Sequence, residues 1–77
     1  MRRGKGAAIL VADERFHQGD LLWQQNNFPE ARRQYELALS FRDDYEYRRR
    51  YARQLSTQVS QEGDLYQEYY TRAVELE

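Results

Sequence analysis

The sequence predicts an all-α protein of four helices folded as two antiparallel hairpins. Helix formers (Glu, Gln, Arg, Leu and Ala) fill most of its 77 positions, while no stretch alternates apolar and polar residues for long and no Asn-Gly or Asp-Gly hairpin turn occurs. The single Pro and the four Gly fall mainly where helices could begin or end.

The first helix is expected over residues 8–25. Ala8, Ala12, Phe16, Gly19 and Trp23 recur at spacings of three and four, and Ile9 and Leu22 widen that face. Asn26-Asn27 ends it, because Asn tolerates the left-handed conformation and also caps helix starts. Pro29 then sits in a first turn, where its missing N–H costs nothing. A second helix is expected over residues 28–41, with Phe28, Ala31, Tyr35, Ala38 and Leu39 on one face. So short a turn forces the two helices to pack antiparallel.

The pattern breaks at Arg42-Asp43-Asp44, where Asp43 followed by Glu46 has the form of a capping box. A third helix follows with Tyr47, Tyr51, Leu55 and Val59 one turn apart and Ala52 beside them, and Gly63 is its expected stop. Asp64 with Gln67 can cap a fourth, whose apolar face is Leu65, Tyr66, Tyr69, Tyr70, Ala73 and Leu76. The expected organisation is a basic, flexible N-terminus over residues 1–7 and one helical domain over 8–77, with hairpins at 8–42 and 43–77.

A chain of this length buries only about 60% of the surface its unfolded form exposes. With no Cys, no disulfide or thiolate metal site is expected, and His17 alone cannot build a zinc site. No cofactor and no metal is expected. Twelve basic and 13 acidic residues nearly balance, but unevenly: residues 1–6 carry +3, 7–46 carry −4, 47–61 carry +4 and 62–77 carry −4. A net charge of −1 argues against general nucleic-acid binding, which needs several Lys or Arg free to displace counterions. The basic start has only residues 7–12 as a continuous apolar run, shorter than the ~7–15 of a signal core and the ~20 of a membrane span. A soluble, cytoplasmic protein with no membrane partner is expected.

The stretch GDLLWQQNNFPEARRQYELAL sets Gly19, Leu22, Ala31, Tyr35 and Ala38, with Phe28 at the turn, inside the 34-residue unit 12–45. That arrangement of small and large residues resembles the tetratricopeptide repeat. Arg15 and Gln18 stand where the family usually carries an aromatic and a Leu, and Asp43 replaces the Pro that often closes the repeat. The second unit is a divergent copy or a cap. Tyr51, Ala52 and Leu55 follow Gln18, Gly19 and Leu22 at an offset of 33, whereas Tyr70 and Ala73 follow Tyr35 and Ala38 at 35. The resemblance implies right-handed stacking of hairpins, against the alternative of a small helical bundle.

The resemblance also implies a groove, lined by the first helix of each hairpin, that holds an extended or helical peptide. Mapped onto this chain, that face comprises Asp13, Phe16, Asp20, Trp23 and Gln24, then Glu46, Arg49, Arg53, Ser56 and Thr57. Phe16, Asp20, Trp23, Arg49 and Arg53 are the candidate partner-binding residues, because aromatics supply apolar area and paired Arg can grip a carboxylate bidentately. An acidic or C-terminal segment of a protein or peptide partner is the expected ligand. Asp20 departs from the Asn that carboxylate-gripping grooves of the family prefer. Set against the groove are simpler readings: Trp23 as core packing, and the charges of Arg48-Arg49-Arg50 as solvated or paired through Asp44 to Arg48 and Glu46 to Arg50.

No catalytic constellation occurs. There is no HExxH and no Gly-rich phosphate loop, and no nucleophile is spaced to converge on His17, which is expected to face solvent. No enzymatic activity is expected. The alternative to a binding module is a self-associating helical bundle or designed scaffold. Ala-Ala-Ile-Leu-Val-Ala at 7–12 is apolar around its whole circumference. Ile9, Leu10 and Val11, with Tyr66 and Tyr69, are therefore the candidate self-association residues of a homo-oligomer.

Overall fold

The computed structural model describes residues 4–59 and 63–77, with side chains described for 9–58 and 67–77. Among the described residues the chain forms four helices and no strand: α1 (Gly4–Gln24), α2 (Phe28–Phe41), α3 (Tyr45–Val59) and α4 (Gly63–Leu76). They make two antiparallel hairpins, α1 with α2 and α3 with α4. The chain divides into two compact units, Met1–Tyr47 and Arg48–Glu77. The division falls inside α3.

In the first unit α1 begins at Gly4, four residues before the start expected at residue 8. Gly weakens a helix interior by about 1 kcal/mol without ending it, and Gly4 and Gly6 stand in the first turn. The helix stops through Asn26, whose φ of 64° is left-handed. The Asn27 N–H then reaches back to the Leu22 carbonyl at 2.9 Å and the Asn26 N–H to the Trp23 carbonyl at 2.9 Å, which closes a Schellman motif. Asn27 enters α2 through its backbone: its carbonyl accepts from the Ala31 N–H at 3.0 Å and its side chain makes no capping bond. Ala12, Phe16 and Trp23 of α1 are buried with Ala31, Tyr35 and Ala38 of α2.

α2 ends where Arg42 turns extended, its N–H still bonded to the Ala38 carbonyl at 2.9 Å. Asp44, not Asp43, caps α3. Its Oδ1 accepts from the Glu46 N–H at 2.8 Å and the Tyr47 N–H at 3.3 Å, two of the donors that a helix start leaves unsatisfied.

In the second unit Tyr51, Ala52 and Leu55 of α3 and Tyr69, Ala73 and Leu76 of α4 form the core. The Arg48 Nη1 donates to the Leu76 carbonyl at 3.1 Å, tying the start of α3 to the end of α4. A charged donor on an otherwise orphaned C-terminal carbonyl also opposes the negative end of the helix dipole. Gly63 opens α4 rather than closing α3, which ends at Val59. The side chains of Ala8, Val59, Asp64, Leu65 and Tyr66 lie outside the described residues, and with them the cap expected at Asp64.

Candidate functional site

The face of α1 expected to line a groove carries Asp13, Phe16, Asp20 and Trp23 at spacings of three, four and three. Gly19, on the same side, lies against Tyr35: a Cβ there would come within 2.6 Å of Cδ1 and 2.7 Å of Cε1. That approach lets the Tyr35 hydroxyl donate to Asp20 Oδ1 at 2.7 Å. Two turns earlier the Tyr47 hydroxyl donates to Asp13 Oδ1 across 34 residues of chain, one repeat length. Between the two tyrosines sits Phe16, 4.7 Å from the Tyr35 ring and 4.6 Å from the Tyr47 ring, stacked on the latter at 13°. Trp23 closes the far end against Phe28 at 4.7 Å and Tyr35 at 6.1 Å.

Phe16 is only 2% exposed and Trp23 6%, so neither ring presents a surface to a partner as the groove mapping expects. Tertiary packing consumes them: the rings that would flank a peptide are instead Tyr35, Tyr47 and Phe28 of the same unit. Asp20 is half-buried and accepts from Tyr35; Asp13, Gln24 and His17 are exposed.

Electrostatics tighten the Tyr47 corner. Arg42 lies 5.8 Å from the centroid of the Tyr47 ring and pairs with Asp44 at 2.9 Å. The Tyr47 hydroxyl is pushed above the usual tyrosine pKa, first by burial and then by its bond to the Asp13 carboxylate, with Arg42 acting in the opposite direction. Tyr47 is absent from the sequence-derived candidates, because the helical period of α1 carries no information about a ring that arrives 31 residues after Phe16.

The second mapped face is open. Glu46, Arg49, Arg53, Ser56 and Thr57 are all exposed on α3, and Thr57 folds its hydroxyl back to the Gln54 carbonyl at 2.6 Å. Arg49 and Arg53 stand one turn apart on this outer side, opposite Tyr51 and Leu55. The two sets of candidates fall in different units, Phe16, Asp20 and Trp23 in the first and Arg49 and Arg53 in the second.

Of the self-association candidates, Leu10 is 71% exposed, Ile9 is exposed and Val11 is half-buried. Tyr69 differs from expectation, being 2% exposed, because it shares the inward stripe of α4 with Ala73 and Leu76. Its neighbour Tyr70, about 100° round the helix, is 50% exposed and lies one turn from exposed Val74. The Tyr66 side chain lies outside the described residues.

Among the described residues no group of three or more His, Asp or Glu could hold a metal ion, and no helix is long and apolar enough to cross a membrane. No protein-family model, curated protein or solved structure matches the chain.

Proposed function

We propose that the chain is a non-catalytic protein-interaction module of the tetratricopeptide type, which holds an acidic or C-terminal segment of a partner on the outer face of α3. The observation that carries this reading is the pair Arg49 and Arg53, both exposed and one turn apart on a helix whose opposite side is packed into the core. Two guanidinium groups at that spacing can each present a fork of donors to a carboxylate. Phe16 and Trp23 then serve to fix the first hairpin rather than to touch the ligand. The tetratricopeptide reading draws support from the tight approach of Gly19 to Tyr35 and from buried Ala31 and Ala38. We take the cytoplasm as its setting.

Anisotropy of a labelled peptide with an acidic C-terminal sequence tests the proposal. Arg49→Ala with Arg53→Ala should weaken binding while the far-ultraviolet circular dichroism stays unchanged. Equal binding by the double variant refutes it. A second reading, an assembling helical scaffold, is favoured by the exposure of Leu10, Tyr70 and Val74.

A further inference from the structure

The outer side of α4 carries an uncharged stripe. Opposite its buried stripe of Tyr69, Ala73 and Leu76 run Gln67, Tyr70, Thr71 and Val74, at i, i+3, i+4 and i+7, all exposed and none charged. Along one flank of the uncharged stripe stand Glu68 and Glu75, both exposed and two turns apart, with Arg72 between them paired to Glu75 at 3.1 Å. The outer side of α3 is the counterpart: Arg49 and Arg53 with Ser56 beside them. The segments that contain these two faces carry −4 (residues 62–77) and +4 (residues 47–61).

We infer that a second copy of this chain is the occupant: the outer α3 face of one copy docks on the outer α4 face of the next, head to tail. The Arg49 and Arg53 stems would lie across Val74 and Thr71, and their guanidinium groups would reach Glu75 and Glu68 on that flank. Each guanidinium has five N–H donors, so contacts within its own copy leave others for the neighbour. A symmetric α4-to-α4 contact is disfavoured, because antiparallel pairing would set Glu68 of one copy against Glu75 of the other. Because the two faces differ, the contact is heterologous and continues beyond a dimer. This inference rests on the reading of the α3 face as one that takes an acidic segment, and it names that segment as α4.

Complementation by sedimentation velocity is the test. Wild type should gain mass with concentration and lose it with added salt, since charge pairs at an exposed contact are screened. Arg49→Glu with Arg53→Glu, and separately Glu68→Lys with Glu75→Lys, should each be monomeric. Mixed in equal amounts they should assemble again, because the intact α3 face of one variant meets the intact α4 face of the other and the two reversed faces are likewise opposite in charge. A wild type that stays monomeric at every concentration, a charge-reversed α3 variant that still self-associates, or a mixture that does not assemble overturns the inference. Should a charge-reversed variant lose helicity, Tyr70→Ser with Val74→Ser must abolish wild-type assembly by itself. The acidic peptide separates the two proposals: wild type that binds it yet never assembles sinks only this one, and wild type that does neither sinks both.

Discussion

Gly19 and Tyr35 are in a contact that no other residue at position 19 could make, since a Cβ there would stand 2.6 Å from Cδ1 of the ring. The ring cannot swing aside without loss. Its hydroxyl is bonded to Asp20, and Phe16 and Trp23 lie against it. Two effects of Gly19→Ala therefore compete. Ala favours helix by about 1 kcal/mol, and overpacking a closed core costs about 1–3 kcal/mol. With the ring pinned at both its hydroxyl and its faces, overpacking wins. A net loss of about 1–2 kcal/mol is expected, read as a lower urea midpoint with unchanged slope. A rise in the midpoint would show that Tyr35 is free to move.

Tyr47 predicts an alkaline weakness. Burial and the Asp13 carboxylate hold its hydroxyl above the ordinary tyrosine pKa of about 10, with Arg42 opposing. A group whose folded pKa is raised contributes stability fully below the unfolded value and loses it as pH rises through the folded one. Unfolding midpoints should therefore fall above about pH 10. Tyr47→Phe keeps the stack on Phe16 and deletes only the hydroxyl, so it should cost about 0.5–1.5 kcal/mol at neutral pH and flatten the alkaline decline. Equal declines in both proteins would remove Tyr47 as its cause.

The two turns around α2 depend on single residues. Asn26 holds φ at 64°, a region that costs a residue with a Cβ about 1–2 kcal/mol and Gly almost nothing. Asn26→Val should destabilise and Asn26→Gly should not, as differential scanning calorimetry would show. At the start of α3, Asp44→Ala removes two accepted backbone bonds and should cost about 0.5–2 kcal/mol. Asp43→Ala should cost less, and the reverse order would restore Asp43 as the cap.

Local chemistry made some of this legible and tertiary context hid the rest. The bounds of α2, residues 28–41, follow from Asn27, Pro29 and the break at Arg42, each of which acts within a few residues. The start of α1 does not, because a Gly can lie inside a helix as well as before one, and Gly4 and Gly6 do the former. The candidate site divides in the same way. Spacing sets Phe16 and Trp23 on one side of α1, but a groove wall and a core stripe have the same period. What decides between them is a ring from the beginning of α3, Tyr47, whose distance along the chain no periodicity encodes. Tyr69 and Tyr70 pose the same problem. Adjacent identical residues carry no local signal for which one faces inward, and the register with Ala73 and Leu76 chooses Tyr69.

Arg48 links the α3 sequence to the end of α4. Of the run Arg48-Arg49-Arg50, only Arg48 is half-buried, and its Nη1 donates to the Leu76 carbonyl at 3.1 Å. The last carbonyls of a helix have no partner within it, so this bond satisfies a group that is otherwise left to solvent. A charged donor there also favours the helix dipole. Arg48→Met retains much of the apolar stem and removes both effects, at about 1–2 kcal/mol. The loss should be concentrated in α4, where hydrogen exchange of the last turn should speed up relative to α2. At a concentration where the chain is monomeric, Arg49→Met, at a residue without this carbonyl bond, should leave that exchange unchanged while affecting binding on the outer α3 face. If both substitutions accelerate exchange in α4 equally, the carbonyl bond is not what holds its end.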